Sequence, residues 1–235
     1  DINSPFKPVF DAISIVKKDL KALFEQHRQS EKLNLTLFKI SEAVNSSVDI
    51  NELYQKIHFS LKEIIDVTNF YITIYDRETD CAYFPYVVDE HAPTGKLIIK
   101  NVSKSHSFTC QVIQSEKPLI IRSSEKSNPC QHNQSNQLSH DCAVWMGIPF
   151  TIQNELGGVI AVQSYSDPYL YKQSDLELLS KISAQIGIAI ERKLGDIRLL
   201  ESETKFRKLV EENKNIFFSI DNHGYCTYIS PEIEK

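Results

Sequence analysis

From about Asp11 to Asn45 the chain carries neither Gly nor Pro, and Ile13, Val16, Leu20, Leu23, His27, Ser30, Asn34 and Leu37 follow in alternating steps of three and four. This is heptad spacing, apolar at its start and end and polar at its centre, and it predicts one long helix. At 1.5 Å per residue such a helix extends about 50 Å. A narrow seam of that length suits a parallel coiled coil, in which the polar trio His27, Ser30 and Asn34 weakens the coil or fixes its register. The alternative is a surface helix lying on its own domain.

Asp49 then reads as an N-cap, with Glu52 three residues on and Val48 and Leu53 placed as a hydrophobic staple. Leu53, Ile57, Leu61 and Ile64/Ile65 give the following helix one apolar face, ending near Asp66. Strand-like runs come next, at Asn69–Asp76, Cys81–Val88 and Lys96–Lys100. The first alternates Phe70, Ile72, Ile74 against Tyr71, Thr73, Tyr75 before a polar turn at Asp76–Asp80. A short helix is expected over Phe108–Gln114 and a buried strand over Pro118–Ile121. The stretch from Ser123 to Asp141 is rich in Ser, Asn, Gln and His, and long enough to be functional or mobile.

Two further strands, Ala143–Gln153 and Gly158–Tyr165, are expected around a turn at Asn154–Gly157. Ser174 and Glu177 have capping-box spacing and would open a second long helix running past Leu200 towards Asn213. Gly187 and Gly195 lie inside it, each costing about 1 kcal/mol against Ala. Close packing with a neighbouring helix would explain them. The order predicts an α+β domain, an antiparallel sheet with helices packed on it, flanked by long N- and C-terminal helices.

Composition narrows the function. A hydrophobic fraction of 41% with 24% charged residues over 235 residues is ordinary for a globular chain. A net charge of −5 argues against nucleic acid as a partner, since phosphate binding needs a basic face. No run approaches the roughly eighteen apolar residues of a membrane span, so no membrane contact by this segment is expected. Five cysteines without disulfide-framework spacing are expected to be reduced thiols in the cytoplasm. A first residue other than Met is expected of a piece of a longer protein, whose anchor, if it has one, would lie upstream.

Three segments carry a resemblance. "AVWMGIPFTIQNELGGVIAVQSY" (Ala143–Tyr165) is similar to the W-x-G-[VI]-P strand, turn and G-V-[IL]-x-[VL] strand of the GAF domain, a small-molecule sensory module. "YKQSDLELLSKISAQIGIAIERK" resembles the closing helix of that family. "VIQSEKPLII" (Val112–Ile121) resembles its helix-to-strand step. Further on, "LLESETKFRKLVEENKNIFFSIDNHGYCTYISPEIEK" resembles the opening of a PAS domain, with Asp221–Gly224 as the turn of its first hairpin. These resemblances imply a signalling helix over 1–45, a GAF domain over 46–192, a connecting helix over 193–213 and a truncated PAS start over 214–235. Helix, GAF, helix and PAS in tandem resemble the sensory half of bacterial sensor histidine kinases, with a diguanylate cyclase or transcription activator as the alternative parent. None of their catalytic signatures lies in this segment.

Enzyme chemistry has little support in the residues: there is no P-loop, no G-x-G-x-x-G after a strand and no H-E-x-x-H on a helix. One GAF subgroup reduces free methionine sulfoxide with positioned cysteines, an arrangement these cysteines do not visibly reproduce. The N-K-x(n)-F-x(3)-D-E motif of cyclic-nucleotide GAF domains is missing, and no Cys is followed by His as in bilin-binding ones. The sharpest local pattern is Cys130, His132, His140 and Cys142, whose two thiolates and two imidazoles could hold tetrahedral zinc, or a His could serve haem. Its spacing is not the usual knuckle, and a polar loop that merely contains these residues fits equally. For an organic ligand, a pocket between the sheet and the short covering helix is expected to draw on Tyr71, Tyr86, His106, Phe108, Cys110, Trp145 and Tyr165, although each could be an ordinary core or surface residue.

The expected function is therefore that of a sensory or regulatory module. It would work as a homodimer through its long helices and relay ligand or partner state to a downstream PAS and output domain of the same chain. A metal or haem redox or gas sensor, and a ligand-free dimerisation block, are the competing expectations.

Overall fold

A computed structural model describes residues 7–91, 97–123, 142–211 and 218–229. It divides into two compact units, one running to Ile190 and one from Glu191. In the first unit, helix α1 (Lys7–Ser46) leads to α2 (Ile50–Leu61), then strands β1 (Asn69–Asp76), β2 (Cys81–Val88) and β3 (Ile98–Lys100). A 3-10 turn (Val102–Lys104), helix α3 (Phe108–Ser115) and strands β4 (Leu119–Arg122), β5 (Val144–Ile152) and β6 (Glu155–Ser164) follow. Helix α4 (Gln173–Glu211) begins in this unit and continues past its boundary.

The six strands form one antiparallel sheet in the order β3-β2-β1-β6-β5-β4. Period-two alternation gives the sheet two faces. Phe70 and Ile72 of β1 lie beside Val162 and Ile160 of β6 and Met146 and Ile148 of β5, all buried. This is the face that meets α2, since Phe70 stacks on the His58 ring at 4.9 Å. Leu53, Ile57 and Leu61 of α2 and Ile182, Ile186 and Ile190 of α4 are fully buried, each worth about 1.5–3 kcal/mol of hydrophobic stabilisation.

Two caps are built as the residue types require, and two expectations fail. The Asp49 carboxylate accepts the Glu52 backbone N–H at 2.8 Å, while Glu52 Oε2 accepts the Val48 N–H at 2.6 Å. Val48 is exposed, so the expected staple with Leu53 does not form. Helix α4 starts at Gln173, which puts Ser174 inside its first turn. The expected Ser174–Glu177 box is replaced by a contact set earlier in the chain, with Asp175 in place of Glu177 reaching back to accept the Lys172 N–H at 2.7 Å.

The β5–β6 turn is also displaced. Gln153 and Asn154 take positive φ values of 52° and 63°, the signature of a two-residue type I′ hairpin, so β6 begins at Glu155. Gly187 answers to a strand rather than a helix: a Cβ there would stand 2.3 Å from the Thr151 carbonyl oxygen of β5.

Helix α1 has two regimes. From Val9 to Lys32 every side chain is exposed, whereas Thr36, Ile40, Ala43 and Val44 are buried. A helix lying on its own domain therefore describes only the last three turns.

The second unit contains the end of α4 and a hairpin of β7 (Phe218–Ile220) with β8 (Cys226–Ile229). Asp221 organises its turn, with Oδ1 accepting the His223 and Tyr225 N–H groups at 2.8 and 2.9 Å and Gly224 at φ +86°.

Candidate functional site

The other face of the sheet carries Tyr71 and Thr73 of β1, Val159, Ala161 and Gln163 of β6, and Trp145 and Gly147 of β5. Helix α3 covers it. Asn101 and Glu116, both at left-handed φ, bracket the α3 segment, and the Ser107 hydroxyl caps the helix by accepting the Cys110 N–H. Its buried residues Phe108, Cys110, Val112 and Ile113 pack with Tyr71, Trp145, Val159 and Ala161 in one apolar group.

A hydrogen-bonded chain crosses this group. Trp145 Nε1–H donates to the Tyr71 hydroxyl at 2.8 Å, and Tyr71 shares a hydrogen bond of 2.9 Å with the Thr109 hydroxyl. Phe108 leans on Trp145 with centroids 5.6 Å apart. The indole folds back over its own strand: a Cβ at Gly147 would stand 2.1 Å from its ring. That contact explains the glycine two residues after the tryptophan. Burial pushes the Tyr71 phenol well above its ordinary range, so Tyr71 acts as a neutral hydrogen-bonding group. Burial likewise pushes the Cys110 thiol up, away from the reactive thiolate.

At one end of this face a second network ties the segment after β2 to β6. Asp89 accepts from Gln163 Nε2 at 2.6 Å and from the Tyr165 hydroxyl at 2.8 Å, and His91 meets the Tyr165 ring edge-on at 4.5 Å. Burial, then the Asp89 carboxylate, raises the Tyr165 phenol.

Of the expected pocket residues, Tyr71, Phe108, Cys110 and Trp145 come together in the buried group, with Tyr165 packed half-buried against it. His106 is exposed in the turn before α3, where its carbonyl accepts from Gln111. Tyr86 lies on the opposite face, towards α2. Its hydroxyl shares a hydrogen bond of 2.9 Å with Nδ1 of His58, whose ring donates from Nε2 to the Val67 carbonyl. Cys142 is buried in the apolar group at the start of β5, while Cys130, His132 and His140 lie outside the described residues. Among the described residues no group of three or more His, Cys, Asp or Glu side chains could hold a metal ion. No helix among them is long and apolar enough to cross a membrane.

Sequence reasoning missed Thr73 and Thr109. Thr73 is wholly buried on β1, two residues beyond Tyr71 on the same face, and its hydroxyl has no hydrogen-bond partner among the described residues. Its alternation with Tyr71 and Tyr75 was the available signal. A separate cleft of about 600 Å³, lined in part by His58, Lys62, Asp66, Thr68 and Val88, opens at the end of α2 and contains none of the expected residues.

The family profile of the GAF domain matches residues 47–191. The chain belongs to the GAF domain family. Among solved structures, the GAF domain of a phosphoenolpyruvate-protein phosphotransferase from Coxiella burnetii aligns with a TM-score of 0.55 at 16% identity, covering 73% of this chain and 98% of that one. The free methionine-R-sulfoxide reductase from Neisseria meningitidis, solved with its substrate, aligns at 0.55 and 13%, covering 70% and 91%. The A. aeolicus nlh2 GAF domain aligns at 0.51 and 16%, covering 69% and 98%. At such identities the likeness is one of fold. No curated protein sequence matches. As a GAF domain, the sheet and its helices form a sensory and regulatory module, and its α3 face combines buried polar groups with an apolar wall.

Proposed function

We propose that this GAF domain senses a small organic molecule held between the sheet and α3, and that α4 carries its state onward. The observation behind this reading is the Thr73 hydroxyl, buried without a partner among the described residues, on the face that carries the Trp145–Tyr71–Thr109 chain. An orphaned buried hydroxyl costs about 1–3 kcal/mol, and a ligand's polar group would offset that cost. Trp145 and Phe108 supply apolar surface for the rest of the molecule. The ligand's leverage on the helices equals its differential affinity for their two arrangements.

The wider setting follows from the resemblance described above. The β7–β8 hairpin is assigned as the opening of a PAS domain, and the parent as a cytoplasmic sensor histidine kinase acting as a homodimer. What supports this is the residue pattern from Leu199 to Lys235 and the long helices on either side of the sheet.

Native mass spectrometry of the purified chain, with its absorption spectrum, tests the ligand reading. The expected result is a colourless protein carrying one small organic molecule per chain. Stoichiometric haem or zinc, or a chain to which no small organic molecule binds, would overturn it.

A further inference from the structure

Helix α1 presents a face that its own domain leaves uncovered. Val9, Ile13, Val16, Leu20 and Leu23 stand at alternating d and a positions and are 52–64% exposed. Phe10 and Phe24, one residue after d in their heptads, are 69% and 67% exposed and widen the stripe along one flank. Most of a helix's stability in a protein comes from packing its apolar face, and an exposed apolar stripe this long marks an interaction surface. The polar positions His27, Ser30 and Asn34 end the apolar stripe just before Thr36, where α1 docks onto its own domain.

We infer that the Val9–Phe24 segment pairs in parallel with the same segment of a second copy of this chain. This rests on the dimer reading above and specifies its seam and direction. Parallel pairing sets all five layers apolar against apolar: Val9 on Val9, Ile13 on Ile13, and so on to Leu23. It also places Lys17 beside the partner's Ala12 and Asp19 beside the partner's Phe24, with no like charges facing.

Two antiparallel registers oppose four of these layers each. One sets Lys17 against Lys17 and Asp19 against Asp19, two like-charge contacts at the centre of the seam. The other carries Leu23 and Phe24 past the partner's Val9, leaving them uncovered among the described residues. The parallel seam then loosens at His27, where polar layers replace apolar ones. Each chain separates there to enter its own sheet domain.

Cysteine substitutions in the whole chain, oxidised and run without reductant in a Cys81→Ser/Cys130→Ser/Cys226→Ser background beside that background alone, test the direction, with light scattering to read oligomeric state. Val9→Cys and Leu23→Cys should each form a disulfide-linked dimer alone, because parallel pairing brings each position onto its own copy. In either antiparallel register these positions lie ten or more residues from themselves, so neither variant would link by itself. Leu20→Glu should weaken self-association at least tenfold while leaving the thermal midpoint of the GAF domain in place. A monomeric starting chain would overturn the dimer reading itself. A dimer in which neither variant links, or which survives Leu20→Glu unchanged, would overturn this seam and leave the dimer reading standing.

Discussion

Tyr71 is the residue on which the α3 face turns, because its hydroxyl is the partner both of the Trp145 indole N–H and of the Thr109 hydroxyl. Tyr71→Phe removes one oxygen and leaves the fully buried Trp145 donor without that acceptor. The expected cost is about 1–3 kcal/mol, or on the order of 2–4 °C in melting midpoint per kcal/mol for a domain of this size. Calorimetry on the variant checks it, and an unchanged midpoint would show that Trp145 finds another acceptor. The aromatic residues of this face were legible in the sequence because Trp145, Gly147 and Pro149 form a recognisable spacing. Thr73 and Thr109 were not, because a threonine on a strand or helix carries no mark of which atom it faces. Tyr86 went to the opposite face for a local reason. The β1–β2 register shifts between Ile72 and Ile74, which pair with Tyr86 and Tyr83, and such a bulge changes which residues of β2 share a face.

At the scale of elements, the two glycines of α4 should respond with opposite signs to the same substitution. Gly187→Ala drives a methyl group to within 2.3 Å of the Thr151 carbonyl oxygen, so the helix must move off β5 and stability falls despite the better helix propensity. Gly195 has nothing within 4 Å of its would-be Cβ, and Gly195→Ala should gain up to about 1 kcal/mol of helix stability. Denaturant unfolding of the pair, with helix content followed separately, distinguishes them. Equal effects would show that α4 does not bear on β5 as described. The two glycines are indistinguishable in the sequence because a helical pattern marks position and not neighbour. The boundaries of β1 and β2 were legible to the residue, since alternation ended at polar turns. The β5–β6 turn lies earlier than its glycine suggests, because Gln153 and Asn154 supply the positive φ values and Gly157 stands within β6. The role of Gly157 is packing, since a Cβ there would stand 2.6 Å from the Ile152 side chain.

For the whole molecule, the buried phenols set an alkaline limit. Burial raises Tyr54 to about 12 and pushes Tyr71 and Tyr171 up as well. Their unfolded values lie near 10. The folded chain therefore holds protons that the unfolded chain releases, and stability is fully present below about pH 10 and lost as the pH climbs towards the folded values. Urea midpoints at pH 8 and pH 10.5 should fall markedly at the higher pH, and Tyr71→Phe should reduce that fall. A flat profile would mean the phenols ionise in place.

The claim that the α3 face holds a ligand is tested most directly by Thr73→Val, which keeps the shape and removes the hydroxyl. Thermal unfolding of the ligand-free form should show a midpoint raised by a few degrees, because a buried orphan has been removed. Native mass spectrometry of the same variant should show the small organic molecule of the wild-type protein lost. A variant that melts lower and retains the molecule would contradict the account, placing the Thr73 hydroxyl in the architecture of the sheet and the ligand elsewhere.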